Sequence, residues 1–263
     1  MSNYSIRSEY ASAPKYKLNT CYTGKSFSSM SVGLFCYLFD EKSFLKNYKS
    51  AFNKGANRHL CQRRNRNILM RGVIKDYSNN NSTEFFNEWK NIYVVRNPIS
   101  RFISGFVQIC LLKIGLPVNH PFCFNCKRSM SCFLSKLYNK IIKFKGMRSS
   151  LDRFLVYHFF PQKWQCEYYK YKDNYTIIHY ESNKTKFYDS YLEELKTNGV
   201  PSSKLIFIKK LLYTTKPIHK TDGKHITNIY TNYLKKSHKL LNLLVRIFYE
   251  DFIEFNFPLP NIF

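Results

Sequence analysis

The chain has 263 residues, of which 44% are hydrophobic and 17% aromatic, a composition that excludes an intrinsically disordered protein. Its formal net charge of +25 indicates a polyanionic partner, which would be nucleic acid, acidic lipid or an anionic glycan. No nucleic-acid-binding module is recognisable, so a nucleic-acid binder would rest on charge alone. No apolar run reaches the length of a membrane-spanning helix, and no signal peptide is visible at the N-terminus.

Predicted strands and helices alternate along the chain. Three segments have the pattern of short or buried strands: 15–21, 91–95 and 174–180. Periodic apolar residues, caps and breakers predict helices at 28–39, 98–114, 133–146, 149–159, 186–197 and 227–257. This alternation predicts an α/β fold, a P-loop-like sandwich with a central parallel sheet flanked by helices. We expect one domain over 1–263, with its core at about 15–257.

A possible anion-binding loop joins the first predicted strand to the first predicted helix, with the sequence TCYTGKSFSSM. The N-terminus of a helix offers free N–H groups and the positive end of a dipole. Gly24, Lys25 and Ser26 are similar to the end of a Walker A loop, but Asn19 stands where its first glycine belongs. No apolar strand ends in an aspartate that would hold Mg²⁺. The sequence therefore disfavours a P-loop kinase.

A second such junction lies in VVRNPISRFISGF, residues 94–106. Arg96 ends the predicted strand and is suited to bidentate contact with a phosphate. Asn97 is a natural helix N-cap and Pro98 a natural first helical residue. The alternative is an ordinary strand-to-helix turn, with Ser104 packed against a neighbouring helix.

Cysteines indicate either disulfides or a metal site. Three of the eight cysteines lie close together in HPFCFNCKRSMSCF, and a fourth follows further along the chain. A zinc site would need a second spaced pair of ligands, so disulfides in an oxidising compartment fit better. Five glycosylation sequons agree with this compartment. The candidate bridge formers are Cys123, Cys126, Cys132 and Cys166, and their pairing stays open.

Two cations at the ends of two strands, Lys25 and Arg96, favour a nucleotide with phosphates at both ends. Here the chain resembles the Golgi carbohydrate sulfotransferases of the chondroitin 4-sulfotransferase type, over about 15–257. CYTGKSFSSM is similar to that family's 5′-phosphosulfate loop, and VVRNPISRFISGF to its 3′-phosphate motif R-D-P-x-x-R-x-x-S. Three further segments resemble later family blocks in the same order: HFFPQKWQC, NYTIIHYES and LVRIFYEDFIEFNF.

The chain departs from the family pattern at several points. Asn97 replaces the commoner Asp, Phe159 replaces a Trp after His158, and Phe248 stands where the terminal block has Tyr. Family members carry an N-terminal membrane anchor, which is not visible in this sequence. The alternative to an active enzyme is a protein of the same fold that binds a nucleotide or an anionic glycan without turnover.

The resemblance implies a donor, 3′-phosphoadenosine 5′-phosphosulfate (PAPS), and a glycan hydroxyl as acceptor, for example in chondroitin or another glycosaminoglycan. Sulfuryl transfer would be in line and would need no metal. Lys25 would bind the 5′-phosphate and neutralise the leaving oxygen. Ser26, Phe27 and Ser28 would supply backbone N–H groups, and Ser28 also a hydroxyl.

The same resemblance implies roles for residues later in the chain. Arg96 and Ser104 would hold the 3′-phosphate, and His158 would act as the base that deprotonates the acceptor. The alternative for His158 is a structural histidine bonded to a backbone carbonyl. His179 and Glu181 are the next candidates for the base. The implied partners are an anionic glycan and not nucleic acid, and the implied location is the Golgi lumen or the secretory pathway.

Overall fold

The structure is a computed structural model that describes residue 6 and the ranges 8–51, 60–112, 119–181, 183–215 and 225–261. The strands are β1 Tyr10–Ala13, β2 Leu18–Cys21, β3 Arg66–Asn67, β4 Lys90–Arg96 and β5 Tyr175–Tyr180. The helices are α1 Ser28–Phe39, α2 Glu41–Ala51, α3 Met70–Ser78, α4 Ser82–Glu88, α5 Pro98–Phe106, α6 Met130–Ile142, α7 Ser150–Phe159, α8 Tyr168–Tyr171, α9 Lys184–Thr197, α10 Ser202–Thr214, α11 His225–Lys236 and α12 His238–Glu254.

One five-stranded sheet joins all of these strands, in the order β3-β1-β2-β4-β5. The central pair β2 and β4 is parallel, with Leu18 opposite Lys90 and Cys21 opposite Tyr93, whereas β1 is antiparallel to both β2 and β3. The predicted α/β class, with a central sheet flanked by helices, is confirmed. The antiparallel strands at one side of the sheet were not predicted, so the sheet is mixed.

The predicted elements differ from the observed ones where local backbone geometry intervenes. β2 begins at Leu18 rather than at Lys15, because residues 14–16 form a 3₁₀ turn. The single helix predicted at 227–257 is wrong, since Ser237 accepts a hydrogen bond from the N–H of Leu240 and caps a new helix. The predicted helix at 98–114 is α-helical only to Phe106 and continues as a π-helical turn over Val107–Leu111.

The described chain forms two compact units, each made from separate stretches of sequence. The sheet unit consists of 7–95 and 166–220, and it contains helices α1–α4 and α8–α10 and the strands, except for Arg96 at the end of β4. The helical unit consists of 1–6, 96–165 and 221–263. Its core contains stacked and tilted aromatic rings, among them Phe102, Phe106, Phe133 and Phe159. The single domain proposed from the sequence stays a prediction.

All eight cysteines form disulfides, and each bond lies within one unit. The expected disulfide bonding is thereby confirmed for the four candidate cysteines, although two of their partners come from outside the candidate set. The pairs are Cys21–Cys166, Cys36–Cys61, Cys110–Cys123 and Cys126–Cys132. In the part of the chain that the structure describes, no helix is both long enough and apolar enough to span a membrane.

Candidate functional site

The loop after β2 makes two unusual turns before α1 begins. Lys25 and Phe27 both have positive φ angles, of 72° and 66°. The N–H of Ser26 donates to the carbonyl oxygen of Thr23 at 3.3 Å, and the carbonyl oxygen of Phe27 accepts from Met30 and Ser31 at 3.0 Å each. The loop therefore delivers Lys25 immediately before the positive end of a twelve-residue helix, an arrangement suited to an anion.

Aromatic packing fixes this loop in its left-handed conformation. The ring of Phe27 lies 4.8 Å from that of Phe187, 5.2 Å from Tyr191 and 6.0 Å from Tyr180, measured between centroids. A positive φ at a non-glycine residue costs on the order of 1 kcal/mol, which the buried ring contacts offset. Phe27 thus shapes the loop through its side chain, while its carbonyl oxygen accepts the first hydrogen bonds of α1.

One polar atom in the loop lacks a partner within the described protein. Thr23 is 1% exposed, and its hydroxyl oxygen Oγ1 is buried without a hydrogen-bond partner. An unsatisfied buried hydroxyl costs about 1–3 kcal/mol, so such groups are normally paired. The loop therefore combines a lysine, a helix N-terminus and an unsatisfied hydroxyl, which are features suited to an anionic group.

The position where a Walker A loop would begin has a different structure. Asn19 lies inside β2 and is fully buried. Its amide oxygen accepts from the hydroxyl of Ser12 at 3.0 Å, and its amide nitrogen donates to the side chain of Asn91 at 2.9 Å. Because a strand with a buried amide pair replaces the glycine turn, the geometry gives no support to a P-loop kinase.

The junction between β4 and α5 follows the capping pattern expected from the sequence. Asn97 accepts hydrogen bonds from the N–H groups of Ile99 and Ser100 at 3.1 and 3.3 Å, and Pro98 is the first helical residue. Arg96, the last residue of β4, is half-buried. Ser104 lies on the buried side of α5 and is 5% exposed. The helix therefore starts directly after the arginine, as an anion-binding junction requires.

Gln162 holds the backbone of Arg96 on both sides. Its side-chain oxygen Oε1 accepts from the Arg96 N–H at 2.9 Å, and its nitrogen Nε2 donates to the Arg96 carbonyl oxygen at 2.8 Å. Gln162 is fully buried in the 3₁₀ turn that follows α7. Gln162 thus connects the segment HFFPQ to the segment VVRNP, although Gln162 and Arg96 are 66 positions apart in the sequence.

Asp251 of α12 fixes the same turn from the other side. Its carboxylate accepts from the backbone N–H groups of Gln162 and Lys163 at 2.7 and 2.8 Å. Burial raises the pKa of Asp251 to about 6, although both backbone hydrogen bonds and the charge of Arg101 lower it. The terminal segment FYEDF is therefore tied to HFFPQ by a buried acid.

Arg101 is a structural residue, although its place in the motif would suit an anion ligand. It is 1% exposed and donates to the carbonyl oxygens of Phe160 at 2.8 Å and Tyr157 at 3.3 Å. These carbonyls belong to the end of α7 and the residue after it. Arg101, Gln162 and Asp251 are long-range contributors that sequence reasoning missed; their only sequence signal was their place in the family-like blocks.

His158 lies near the C-terminus of α7 and is half-buried. Its Nδ1 atom is 2.9 Å from the carbonyl oxygen of Phe154, and its ring centroid is 4.2 Å from that of Phe154. Because a carbonyl oxygen can only accept, Nδ1 carries the proton and Nε2 is the basic atom of the neutral ring. The contact matches the alternative of a carbonyl-bonded histidine, and it also defines the tautomer that a base would need.

His179 lies on β5 of the sheet unit and Glu181 directly follows that strand; both line an open pocket of about 330 Å³. Burial lowers the pKa of His179, and Lys186 lowers it further, while Glu181 raises it. Glu181 forms an ion pair with Lys186 at 3.1 Å, so its carboxylate is already engaged. This pairing makes Glu181 a weaker candidate for the base than His158.

The candidate residues are divided between the two units. Lys25, Ser26, Phe27 and Ser28 belong to the sheet unit, whereas Arg96, Ser104 and His158 belong to the helical unit. Since β2 and β4 are parallel, their carboxyl ends leave the sheet at the same edge. Among the described residues, no group of three or more His, Cys, Asp or Glu side chains is arranged to hold a metal ion.

The described chain is thus a mixed α/β protein with anion-suited turns after two of its parallel strands. The family model described as "Sulfotransferase family" matches residues 8–258, nearly the whole chain, and the chain belongs to that family. No solved structure matches it significantly.

Three relatives from Caenorhabditis elegans are similar over most of this chain. The carbohydrate sulfotransferase chst-1 is 29% identical over 253 residues, covering 95% of this chain and 75% of chst-1. The putative sulfotransferase vep-2 is 31% identical over 219 residues, covering 83% and 67%. An uncharacterised protein is 30% identical over 257 residues, covering 97% and 70%.

Proposed function

We propose that this sulfotransferase uses PAPS to transfer a sulfuryl group to a hydroxyl of a glycosaminoglycan such as chondroitin. The observation that carries the proposal is the loop of residues 22–27, where Lys25 and the unsatisfied Thr23 hydroxyl precede the N-terminus of α1. The carbohydrate sulfotransferase among the relatives supports a carbohydrate acceptor. A non-catalytic binder would bind the donor without transfer, so one assay separates the two.

The donor, when bound, supplies the sulfuryl group. Lys25 binds the 5′-phosphate, and its ammonium neutralises the negative charge that develops on the leaving phosphate oxygen. Backbone N–H groups of Phe27 and Ser28 orient the same phosphate, as in other helix N-terminal anion sites. The N–H of Ser26, expected from the sequence to join them, instead donates to the carbonyl oxygen of Thr23. Residues of the second junction, Arg96 and Ser104, bind the 3′-phosphate through a guanidinium and a hydroxyl.

His158 deprotonates the acceptor. The sugar oxygen forms a bond to sulfur, the bond between sulfur and the phosphate oxygen breaks, and the hydroxyl proton moves to Nε2 of His158. The hydrogen bond from Nδ1 to the carbonyl oxygen of Phe154 keeps the ring in the required tautomer and stabilises the imidazolium that forms. No metal takes part in this scheme.

Charge and disulfides support the choice of acceptor and compartment. The net charge of +25 favours an anionic glycan as partner. Four disulfides fit the lumen of the secretory pathway, and we propose the Golgi as the location. The sequon asparagines Asn80 and Asn174 are exposed, which is compatible with N-glycosylation.

Incubation with radiolabelled PAPS and a panel of chondroitin, dermatan and desulfated glycans tests the proposal. We expect label in at least one glycan, and a loss of about 10²–10³ in turnover for Lys25→Ala. The matched control is Lys75→Ala, because Lys75 is an exposed lysine of the same unit and its loss changes the net charge equally. Donor binding without transfer to any glycan would identify a non-catalytic binder.

The role of His158 is tested separately in the same assay. His158→Ala should lower turnover by about 10²–10⁴ while the affinity for adenosine 3′,5′-bisphosphate stays unchanged. A structural histidine would instead give a lower melting temperature with turnover and affinity falling together. If the variant transfers sulfate at the parent rate, the base is another residue, with His179 as the next one to replace.

A further inference from the structure

We infer that Gln162 is a positioning residue for the donor, because it sets the direction of Arg96, and that Asp251 holds Gln162 in place. This inference rests on the proposed function, in which Arg96 binds the 3′-phosphate. Gln162 touches neither the sulfuryl group nor the acceptor in this scheme, so it acts through Arg96.

The amide of Gln162 does what a neighbouring strand would do. A strand partner accepts from one backbone N–H and donates to one backbone C=O, and Gln162 does both to Arg96, at 2.9 and 2.8 Å. Two opposed hydrogen bonds on one residue restrict both φ and ψ at the end of β4. The direction of the Cα–Cβ bond of Arg96, and with it the reach of the guanidinium, follows from those two angles.

A second layer holds the glutamine itself. Each residue of the turn at 162–164 contacts an acidic side chain of α12. Asp251 accepts from two of its N–H groups, the Trp164 indole donates to Glu250 at 3.2 Å, and the Lys163 ammonium lies 3.1 Å from Glu254. With its backbone fixed and its side chain fully buried, Gln162 has little freedom to release Arg96.

The neighbouring Gln165 provides a matched comparison. It is also buried, at 4% exposure, and its amide donates to the carbonyl oxygens of Phe160 at 3.1 Å and Pro161 at 3.5 Å. Both glutamines therefore stabilise the same turn region, but of the two only Gln162 forms hydrogen bonds with Arg96. A role limited to stability predicts similar consequences for both, whereas a positioning role predicts an effect on phosphate binding from Gln162 alone.

The test uses two probes, adenosine 3′,5′-bisphosphate and adenosine 5′-phosphate, whose affinities are measured by titration calorimetry. Gln162→Glu keeps the size of the side chain but places a carboxylate oxygen against the Arg96 carbonyl. We expect this variant to bind the bisphosphate at least tenfold more weakly and to bind the 5′-phosphate within twofold of the parent. Gln165→Glu should leave the ratio of the two affinities unchanged, and Arg96→Ala should abolish the preference for the bisphosphate.

The outcomes separate the two proposals. If the parent protein does not prefer the bisphosphate, the phosphate role of Arg96 fails and the inference fails with it. If Arg96→Ala loses the preference and Gln162→Glu keeps it, the inference alone is overturned. If Gln162→Glu loses affinity equally for both probes, the inference is overturned and Gln162 has a purely structural role. If Gln162→Glu does not fold, Gln162→Met, which is similar in shape and cannot bond Arg96, gives the same comparison.

Discussion

Replacing Arg101 by methionine should destabilise the protein strongly. The side chain is 1% exposed, donates to two carbonyl oxygens and lowers the pKa of the buried Asp251. Methionine keeps most of the apolar stem, but it removes one hydrogen-bond donor from each of two carbonyl oxygens and the countercharge from a buried acid; the Phe160 carbonyl retains the amide of Gln165 as a donor. Breaking such an arrangement by removing one partner costs about 3–5 kcal/mol.

The loss is measurable by urea unfolding of the oxidised protein, followed by tryptophan fluorescence from Trp164 in the helical unit and Trp89 in the sheet unit. In a thermal scan it corresponds to roughly 10 °C. The matched control is Arg153→Met, because Arg153 is an exposed arginine of α7, and it should change stability by less than about 0.5 kcal/mol. A loss for Arg101→Met no larger than that of the control would refute the argument.

A double-mutant cycle with Asp251→Asn tests the electrostatic part of the argument. With Asn at position 251, removing the arginine no longer leaves a buried carboxylate without a countercharge. The double variant should therefore lose less free energy of unfolding than the sum of the two single variants, by at least about 1 kcal/mol. Strictly additive losses would show that Arg101 stabilises the fold only through its two carbonyl hydrogen bonds.

Two further predictions concern the same unit. A Cβ atom on Gly105 would lie 2.8 Å from Cε1 of the Phe159 ring, so Gly105→Ala should cost about 1–3 kcal/mol, and Phe159→Leu in the same protein should recover part of the lost melting temperature. Asp251 binds its proton more tightly when folded, because burial raises its pKa from 3.8 to about 6. Its contribution to stability is therefore present below about pH 4 and is lost as the pH rises through about 6, up to roughly 3 kcal/mol. Relative to the parent, Asp251→Asn should flatten the dependence of the urea midpoint on pH over this interval; parallel curves would contradict it.

Local signals in the sequence were sufficient for the elements that carry the two loops. The bounds of α1 were predicted to the residue, and Asn97 and Pro98 begin α5 as their capping properties require. These features depend on residues a few positions apart, where side-chain chemistry and backbone geometry act directly. The strand β1 was missed because YASA has neither the length nor the alternation of a typical strand, and pairing with β2 stabilises it.

Interactions between distant residues could not be predicted from the sequence. Gln162 contacts Arg96 across 66 positions and Asp251 across 89, and no periodic pattern indicates such partners. The resemblance to a family identified the three segments that contain Arg96, Gln162 and Asp251, but it did not indicate the role of each residue. Arg101 shows the difference, since its motif position suggests an anion ligand and its burial makes it part of the scaffold.

The disulfide between Cys21 and Cys166 has a consequence for the order in which the protein matures. Synthesis delivers Cys21 145 residues before its partner, whereas the other three bonds close over separations of 25, 13 and 6 residues. Because a chain emerges from its N-terminus, those three bonds can form while translation continues, and Cys21 must remain a thiol until Cys166 has been made. The strand that leads into the Lys25 loop is therefore the last to be locked, and a nascent chain that pairs Cys21 early with a nearby thiol would need an isomerase to recover.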